Sequence, residues 1–172
     1  SFEDTFNIYN IDWLKGVVDG GGGSLDKVNL MGLNSPITVS VDGVTKADLI
    51  LINVESIDAN NVGHTLIGDI INSRWNIEKE NEGFLTGTDA TSGKIHFKGF
   101  ANLLGSAADD VVKFIGKDAF ITGHMDMRDG QDHLDLKEAN RSHTVRINSA
   151  GGAVTQGNLS ISNIEKIDGG KN

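Results

Sequence analysis

The sequence contains no cysteine and a single proline, and aromatic residues make up only 6% of its 172 positions. Without cysteine, neither a disulfide framework nor a thiolate zinc site can form. No apolar run approaches the ~20 residues that a membrane-spanning helix needs. The longest run, around residues 49–54, is interrupted by Asn53. Basic clusters are missing too. With 24 acidic against 15 basic residues and a formal net charge of −9, neither nucleic acid nor an anionic membrane surface is an expected partner. No secretion signal is visible at Ser1 and there is no initiator Met, so a signal is expected to have been removed or to lie far upstream. Glycine, by contrast, is abundant: 22 residues, nearly twice the usual ~7%.

Self-similarity is the second positive feature. Gly16-Val17-Val18-Asp19 matches Gly123-His124-Met125-Asp126, and Leu25-Asp26-Lys27-Val28-Asn29-Leu30 matches Gln131-Asp132-His133-Leu134-Asp135-Leu136. The match continues from Ile37-Thr38-Val39-Ser40-Val41 to Thr144-Val145-Arg146-Ile147-Asn148. It extends to Leu49-Ile50-Leu51-Ile52-Asn53-Val54-Glu55 and Leu159-Ser160-Ile161-Ser162-Asn163-Ile164-Glu165. Ahead of each copy, Glu3-Asp4 corresponds to Asp109-Asp110. A shortened central copy is marked by Leu66-Ile67-Gly68 against Leu103-Leu104-Gly105, and by Phe84-Leu85-Thr86-Gly87 against Phe120-Ile121-Thr122-Gly123. Parts of three related units are therefore expected, at about 1–65, 66–102 and 103–172, with the chain starting and stopping inside two of them.

Period assigns the units to strands. Ile37 to Val41 and Leu159 to Ser162 alternate apolar and polar side chains, the pattern of a half-buried strand. Gly, Asn and Asp at short intervals supply turns. Only 70–80 has spacing that suggests a short helix, and the polar stretch 72–82 is the expected cap or side insertion. The expected fold is all-β, a parallel β-helix or β-roll solenoid of degenerate repeats, with a β-sandwich as the alternative. Each unit would bury a row of Val, Ile, Leu and Phe that it cannot hide alone. Opened mid-unit, such a coil exposes strand edges that invite end-to-end association.

The phrase Phe100-Ala101-Asn102-Leu103-Leu104-Gly105-Ser106-Ala107-Ala108-Asp109-Asp110 resembles a recurring line in very large bacterial surface and secreted repeat proteins. So does Ile164-Glu165-Lys166-Ile167-Asp168-Gly169-Gly170. These are the haemagglutinin-like exoproteins and relatives of the calcium-binding RTX repeat proteins. The resemblance implies the solenoid architecture and an extracellular address, and no particular ligand. Against the RTX nonapeptide, Gly21-Gly22-Gly23-Ser24-Leu25-Asp26-Lys27-Val28-Asn29 has Ser24 where the third glycine belongs. Met127-Arg128-Asp129-Gly130-Gln131-Asp132-His133-Leu134-Asp135 keeps the later glycine, the Asp and the Leu. Neither is followed by a second nonapeptide. Calcium at Asp19 with Asp26, and at Asp126 with Asp132, is the metal assignment this suggests; turn-forming Asp and Gly is the plainer alternative.

Two other constellations could carry chemistry. Between 124 and 135 lie His124, Asp126, Asp129, Asp132, His133 and Asp135, dense enough for a divalent metal or an acid–base pair. The first copy has Val17 and Lys27 in place of the two histidines, which favours solvated turns. Asp109-Asp110, with Lys113 and Lys117 nearby, could serve a calcium-dependent polysaccharide lyase, but the pair recurs as Glu3-Asp4. Gly20 to Gly23 lacks the Lys-Ser/Thr of a phosphate loop, and no nucleophile signature is present. Trp13 and Trp75 are either sugar platforms or core plugs. The expected role is a non-enzymatic structural or adhesive segment of a secreted or surface-exposed bacterial protein, in contact with neighbouring repeats and with a host receptor or glycan. A polysaccharide-processing or carbohydrate-binding β-helix and a calcium-responsive module that folds on export are the alternatives.

Overall fold

The computed structural model describes residues 2–12, 16–23, 25–41, 47–68, 72–87, 93–143, 145–148, 151–154 and 160–170. Among them there are eighteen strands, numbered in chain order, and no helix. Nine form one sheet, in the order β1 (Thr5–Asn7), β3 (Lys27–Leu30), β6 (Ser56–Ala59), β10 (Ile95–Lys98), β9 (Glu82–Thr86), β8 (Arg74–Lys79), β12 (Val111–Phe114), β14 (His133–Asp135), β18 (Lys166–Asp168). Seven form a second sheet, in the order β17 (Ser160–Ser162), β13 (His124–Asp126), β11 (Asn102–Leu104), β7 (Thr65–Gly68), β4 (Thr38–Val41), β5 (Leu49–Ile52), β2 (Gly16–Asp19). The remaining two, β15 (Val145–Asn148) and β16 (Gly151–Val154), make an antiparallel hairpin. Neither large sheet closes on itself.

Six times the chain leaves a strand of the seven-stranded sheet and enters the nine-stranded one: β2 to β3, β5 to β6, β7 to β8, β11 to β12, β13 to β14 and β17 to β18. Alternation sends one face of every such strand inward. In the nine-stranded sheet Phe6, Val28, Ile57 and Phe97 stack in register at one end, and Trp75, Val112, Leu134 and Ile167 at the other. Val39, Leu66, Leu103, Met125 and Ile161 stack likewise in the second sheet. Both inner faces belong to one apolar core. Each fully buried Leu, Ile or Val side chain there contributes roughly 1.5–3 kcal/mol relative to exposure.

The internal repeat reappears as register. Thr5, Lys27 and Ser56 pair across β1, β3 and β6 as Val111, His133 and Lys166 pair across β12, β14 and β18. Val18 faces Leu51 as Met125 faces Ile161. Elsewhere sequence likeness and structure part. Ile37 to Val41 contributes β4, a parallel interior strand, whereas its counterpart contributes β15 of the antiparallel hairpin. Phe84 to Thr86 lies in β9, while Phe120 makes only an isolated bridge to Glu80.

The helix expected near 70–80 is not formed over its described part. Arg74–Lys79 is strand β8, because Trp75 and Ile77 are buried while Arg74 and Glu78 are exposed, a period of two. Nor does 72–82 cap an end. It turns at Asn81 (φ 54°) into β9, and β8, β9 and β10 form an antiparallel meander at the centre of the nine-stranded sheet.

Candidate functional site

The polar chemistry concentrates at the residues that immediately precede strands of the nine-stranded sheet. In the first copy these are Asp4, Asp26 and Glu55; in the last, Ser73, Asp110, Asp132 and Glu165. The side chains of Asp26, Glu55, Asp110, Asp132 and Glu165 each reach sideways to the peptide N–H of the residue heading the adjacent strand. Asp4 N–H donates to Asp26 Oδ1 at 2.8 Å and Asp26 N–H to Glu55 Oε2 at 2.7 Å. Correspondingly, Asp110 N–H donates to Asp132 Oδ1 and Asp132 N–H to Glu165 Oε2, both at 2.7 Å. The second ladder extends one step further. Asp110 Oδ1 accepts Ser73 N–H at 2.7 Å and Ser73 Oγ–H at 2.6 Å, and its Oδ2 accepts Ser106 N–H at 2.7 Å. A strand head is where the regular ladder of peptide bonds begins, so these carboxylates satisfy donors that would otherwise be buried without partners.

Asp26, Asp110 and Asp132 are completely buried. Burial pushes the Asp132 carboxyl up to about 7, and the charges of Asp110, Glu165 and Asp109 add to that, against the opposing hydrogen bond from Asp110 N–H. Burial also raises Asp110, while its bonds to Ser73 and Ser106 pull the other way. The second oxygens of Asp26 and Asp132 are buried and accept no hydrogen bond.

Asp19 and Asp126 do a different job. Each ends a strand of the seven-stranded sheet and closes an Asx turn. Asp19 Oδ1 accepts Gly21 N–H and Asn53 Nδ2–H, both at 2.8 Å; Asp126 Oδ1 accepts Arg128 N–H at 3.0 Å and Asn163 Nδ2–H at 2.6 Å. The turns need left-handed backbone, met by Gly21 (φ 79°) in one copy and Arg128 (φ 66°) in the other. The hydrogen bonds from Gly21 and Asn53 hold Asp19 below the usual carboxylate range. Among the described residues Asp19 and Asp26 thus share no hydrogen-bond partner, nor do Asp126 and Asp132. Among the described residues no group of three or more Asp, Glu or His side chains is placed to hold a metal ion.

The stretch 124–135 divides between the sheets. His124, on the seven-stranded sheet, bonds Ser160 Oγ and Ser162 Oγ at 2.9 and 3.1 Å, whereas His133, on the nine-stranded sheet, bonds Asp168 Oδ2 at 3.1 Å. Around Asp109-Asp110, Lys113 pairs with Glu138 and Lys117 with Asp118, while Asp109 Oδ1 accepts Gln131 N–H at 2.9 Å. Trp75 is fully buried, edge-on to Phe97 at 5.8 Å, and presents no face to a sugar; Trp13 lies outside the described residues. Sequence reasoning did not single out Glu55, Glu165, Ser73 or Ser106. For the glutamates a signal existed, since both fall at one repeat position directly ahead of a strand. No protein-family model matches the chain, and no curated protein or solved structure shows significant similarity to it.

Proposed function

We propose that the chain is a structural display segment, a stretch of two-sheet β-solenoid in a large secreted or surface-exposed bacterial protein. In this reading the successive strand pairs are coils of a stiff rod, and neighbouring repeats are its first partners. One observation carries the reading: Asp26 and Asp132, two of the four residues suggested as calcium ligands, tie one strand head to the next together with Glu55 and Glu165, in the same register in both copies. A rod of this kind extends and presents surface, and weak contacts to a host receptor or glycan add through effective concentration. Small-angle scattering tests the shape, with an elongated particle expected and a sphere contradicting it. Glycan and receptor arrays test adhesion.

A second reading, a calcium-responsive module that folds on export, is favoured by the unbonded buried oxygens of Asp26 and Asp132. Thermal melting in millimolar calcium and then in excess chelator separates the two. An unchanged melt supports the display segment; a collapse with chelator makes coupled binding and folding the better account.

A further inference from the structure

We propose that the turns following β1, β3 and β6 form a binding site for a neutral glycan, with the ring of Tyr9 as its platform and asparagine amides as its hydrogen-bonding rim. The inference rests on the display reading, because it names what the rod presents.

Three large apolar side chains are exposed at neighbouring strand tails: Tyr9 at 74%, Met31 at 54% and Val62 at 40%. They follow β1, β3 and β6, which are adjacent in the nine-stranded sheet. Both β3 and β6 are paired on both sides, so Met31 and Val62 are uncovered on the flank of the sheet and not at an edge. At ~4.8 Å per strand the three tails span about 10 Å, room for a short oligosaccharide. Tyr9 is seated on Gly32, where a Cβ would fall 2.5 Å from the tyrosine Cδ1. The turn that carries Met31 is tied to the next one by Asn60 Nδ2–H, which donates to Met31 O at 3.1 Å.

Charge identifies the ligand class. The turns at 8–11, 31–37 and 60–64 contain no Asp, Glu, Lys or Arg, in a chain that is 23% charged. The second copy shows the same corner built otherwise. Asn7 faces Asn29 as Lys113 faces Asp135, and Met31 and Gly32 correspond to Lys137 and Glu138. There Lys113 pairs with Glu138 and Lys137 with Asp168, so ion pairs close the corner. In the first copy an amide pair stands instead, with Asn29 Nδ2–H donating to Asn7 Oδ1 at 2.9 Å, beside uncovered apolar surface. Asn7, Asn10, Asn34 and Asn61 are exposed, and their Nδ2–H groups meet no acceptor among the described residues. Amides donate and accept, as sugar hydroxyls do, and an aromatic ring suits the apolar face of a sugar. An anionic ligand would find no cation in these turns. Three apolar side chains also fall far short of the roughly 20–30 residues a side that a stable protein interface takes.

Tyr9 is the only tyrosine, so fluorine-labelled tyrosine reports on this site alone. The labelled protein is titrated in fluorine NMR with neutral oligosaccharides of glucose, galactose, mannose and N-acetylglucosamine, and with a heparin fragment as the polyanion. A saturable shift with at least one neutral sugar, and none with heparin, is expected. Saturation-transfer spectra of the bound sugar then read the variants. Tyr9→Ala and Gly32→Glu should each weaken binding about tenfold or more, whereas Lys137→Ala, at the corresponding place in the second copy, should leave it unchanged. A silent fluorine signal across the neutral panel, a shift with heparin alone, or sugar binding indifferent to Tyr9→Ala would overturn the proposal. Elongation in scattering is measured without sugar, so failure of this site and failure of the display reading are told apart.

Discussion

Replacing Asp110 by alanine removes the acceptor for four donors at once, the N–H and hydroxyl groups of Ser73 and Ser106. Both serines are buried, at 0% and 4% exposure. The Ser106 hydroxyl has a second acceptor in Ala108 O at 3.2 Å, and a hydroxyl can rotate. The two peptide N–H groups cannot. Each buried donor left alone costs about 1–3 kcal/mol. Relief of a carboxylate whose own burial is unfavourable offsets part of this, leaving a net loss of about 2–4 kcal/mol. For a chain of this length that corresponds to a melting temperature lower by roughly 5–15 °C. The molecule supplies its own control, because Asp4 holds the same repeat position without donors on its carboxylate. Asp4→Ala should therefore stay within about 2 °C of the unaltered protein. Calorimetry or circular dichroism melts of the three proteins decide the matter. Equal shifts for the two variants would refute the view that Asp110 acts through its side-chain acceptors.

Other perturbations test other parts of the fold. Gly99 has φ +78°, and a Cβ there would lie 1.9 Å from Ala59 O, so Gly99→Ala should cost more than about 3 kcal/mol in urea denaturation. Asp132 titrates near 7 when folded against 3.8 when unfolded. Rising pH therefore removes stability between about 4 and 7, by up to roughly 4 kcal/mol, and Asp132→Asn should flatten that limb of the profile. His64 is buried and neutral, with Nδ1 accepting Ile37 N–H at 3.2 Å and Nε2 bonded to Asn60 Oδ1 at 2.9 Å. Burial lowers its pKa, so its contribution is present above about 6.5 and is lost as pH falls through the lowered folded value; His64→Gln should abolish that acid slope. Glu165→Asp should leave Asp132 N–H without its acceptor and cost about 1–3 kcal/mol in the same assay, whereas Glu165→Gln should cost less.

The strand content was legible because its signal is local. Alternation at Ile37 to Val41 and the doubled Gly-x-x-Asp phrases at Asp19 and Asp126 report period and turn chemistry, and both operate within a few residues. The position of β4 was not legible. It follows β3 in the chain yet lies beyond β5 in the seven-stranded sheet, and strand order is a property of the whole assembly. The stretch around Trp75 misled for a related reason: isoleucines at 70, 71 and 77 around a tryptophan fit helical spacing, but pairing with β12 and β9 on both sides overrides weak local preference. Asp19 and Asp26 show the same limit at one residue type. Both sit beside a glycine run, yet one is exposed in a turn and the other wholly buried against a neighbouring strand. Composition cannot tell them apart; only the stacking of β1, β3 and β6 does.

The order Asp, Asp, Glu along each ladder goes with a change in the backbone bonding. At the step from Asp4 to Asp26, and from Asp110 to Asp132, the first residue of the following strand alone donates to the preceding carbonyl: Lys27 to Asp4 O at 2.8 Å, His133 to Asp110 O at 2.9 Å. At the third step two successive N–H groups converge on one carbonyl. Glu55 and Ser56 both donate to Asp26 O, at 3.0 and 3.1 Å, and Glu165 and Lys166 both donate to Asp132 O, at 3.0 and 2.9 Å. At both of these doubly bonded steps the side-chain acceptor is the longer glutamate, Glu55 or Glu165. It also ends the side-chain ladder, since a Glu N–H used this way has nothing left for a fourth carboxylate. In both copies the Glu is thus the last acceptor of its ladder. Six of the 24 acidic residues are placed by this arrangement, among them Asp26 and Asp132, which from the sequence were suggested as metal ligands.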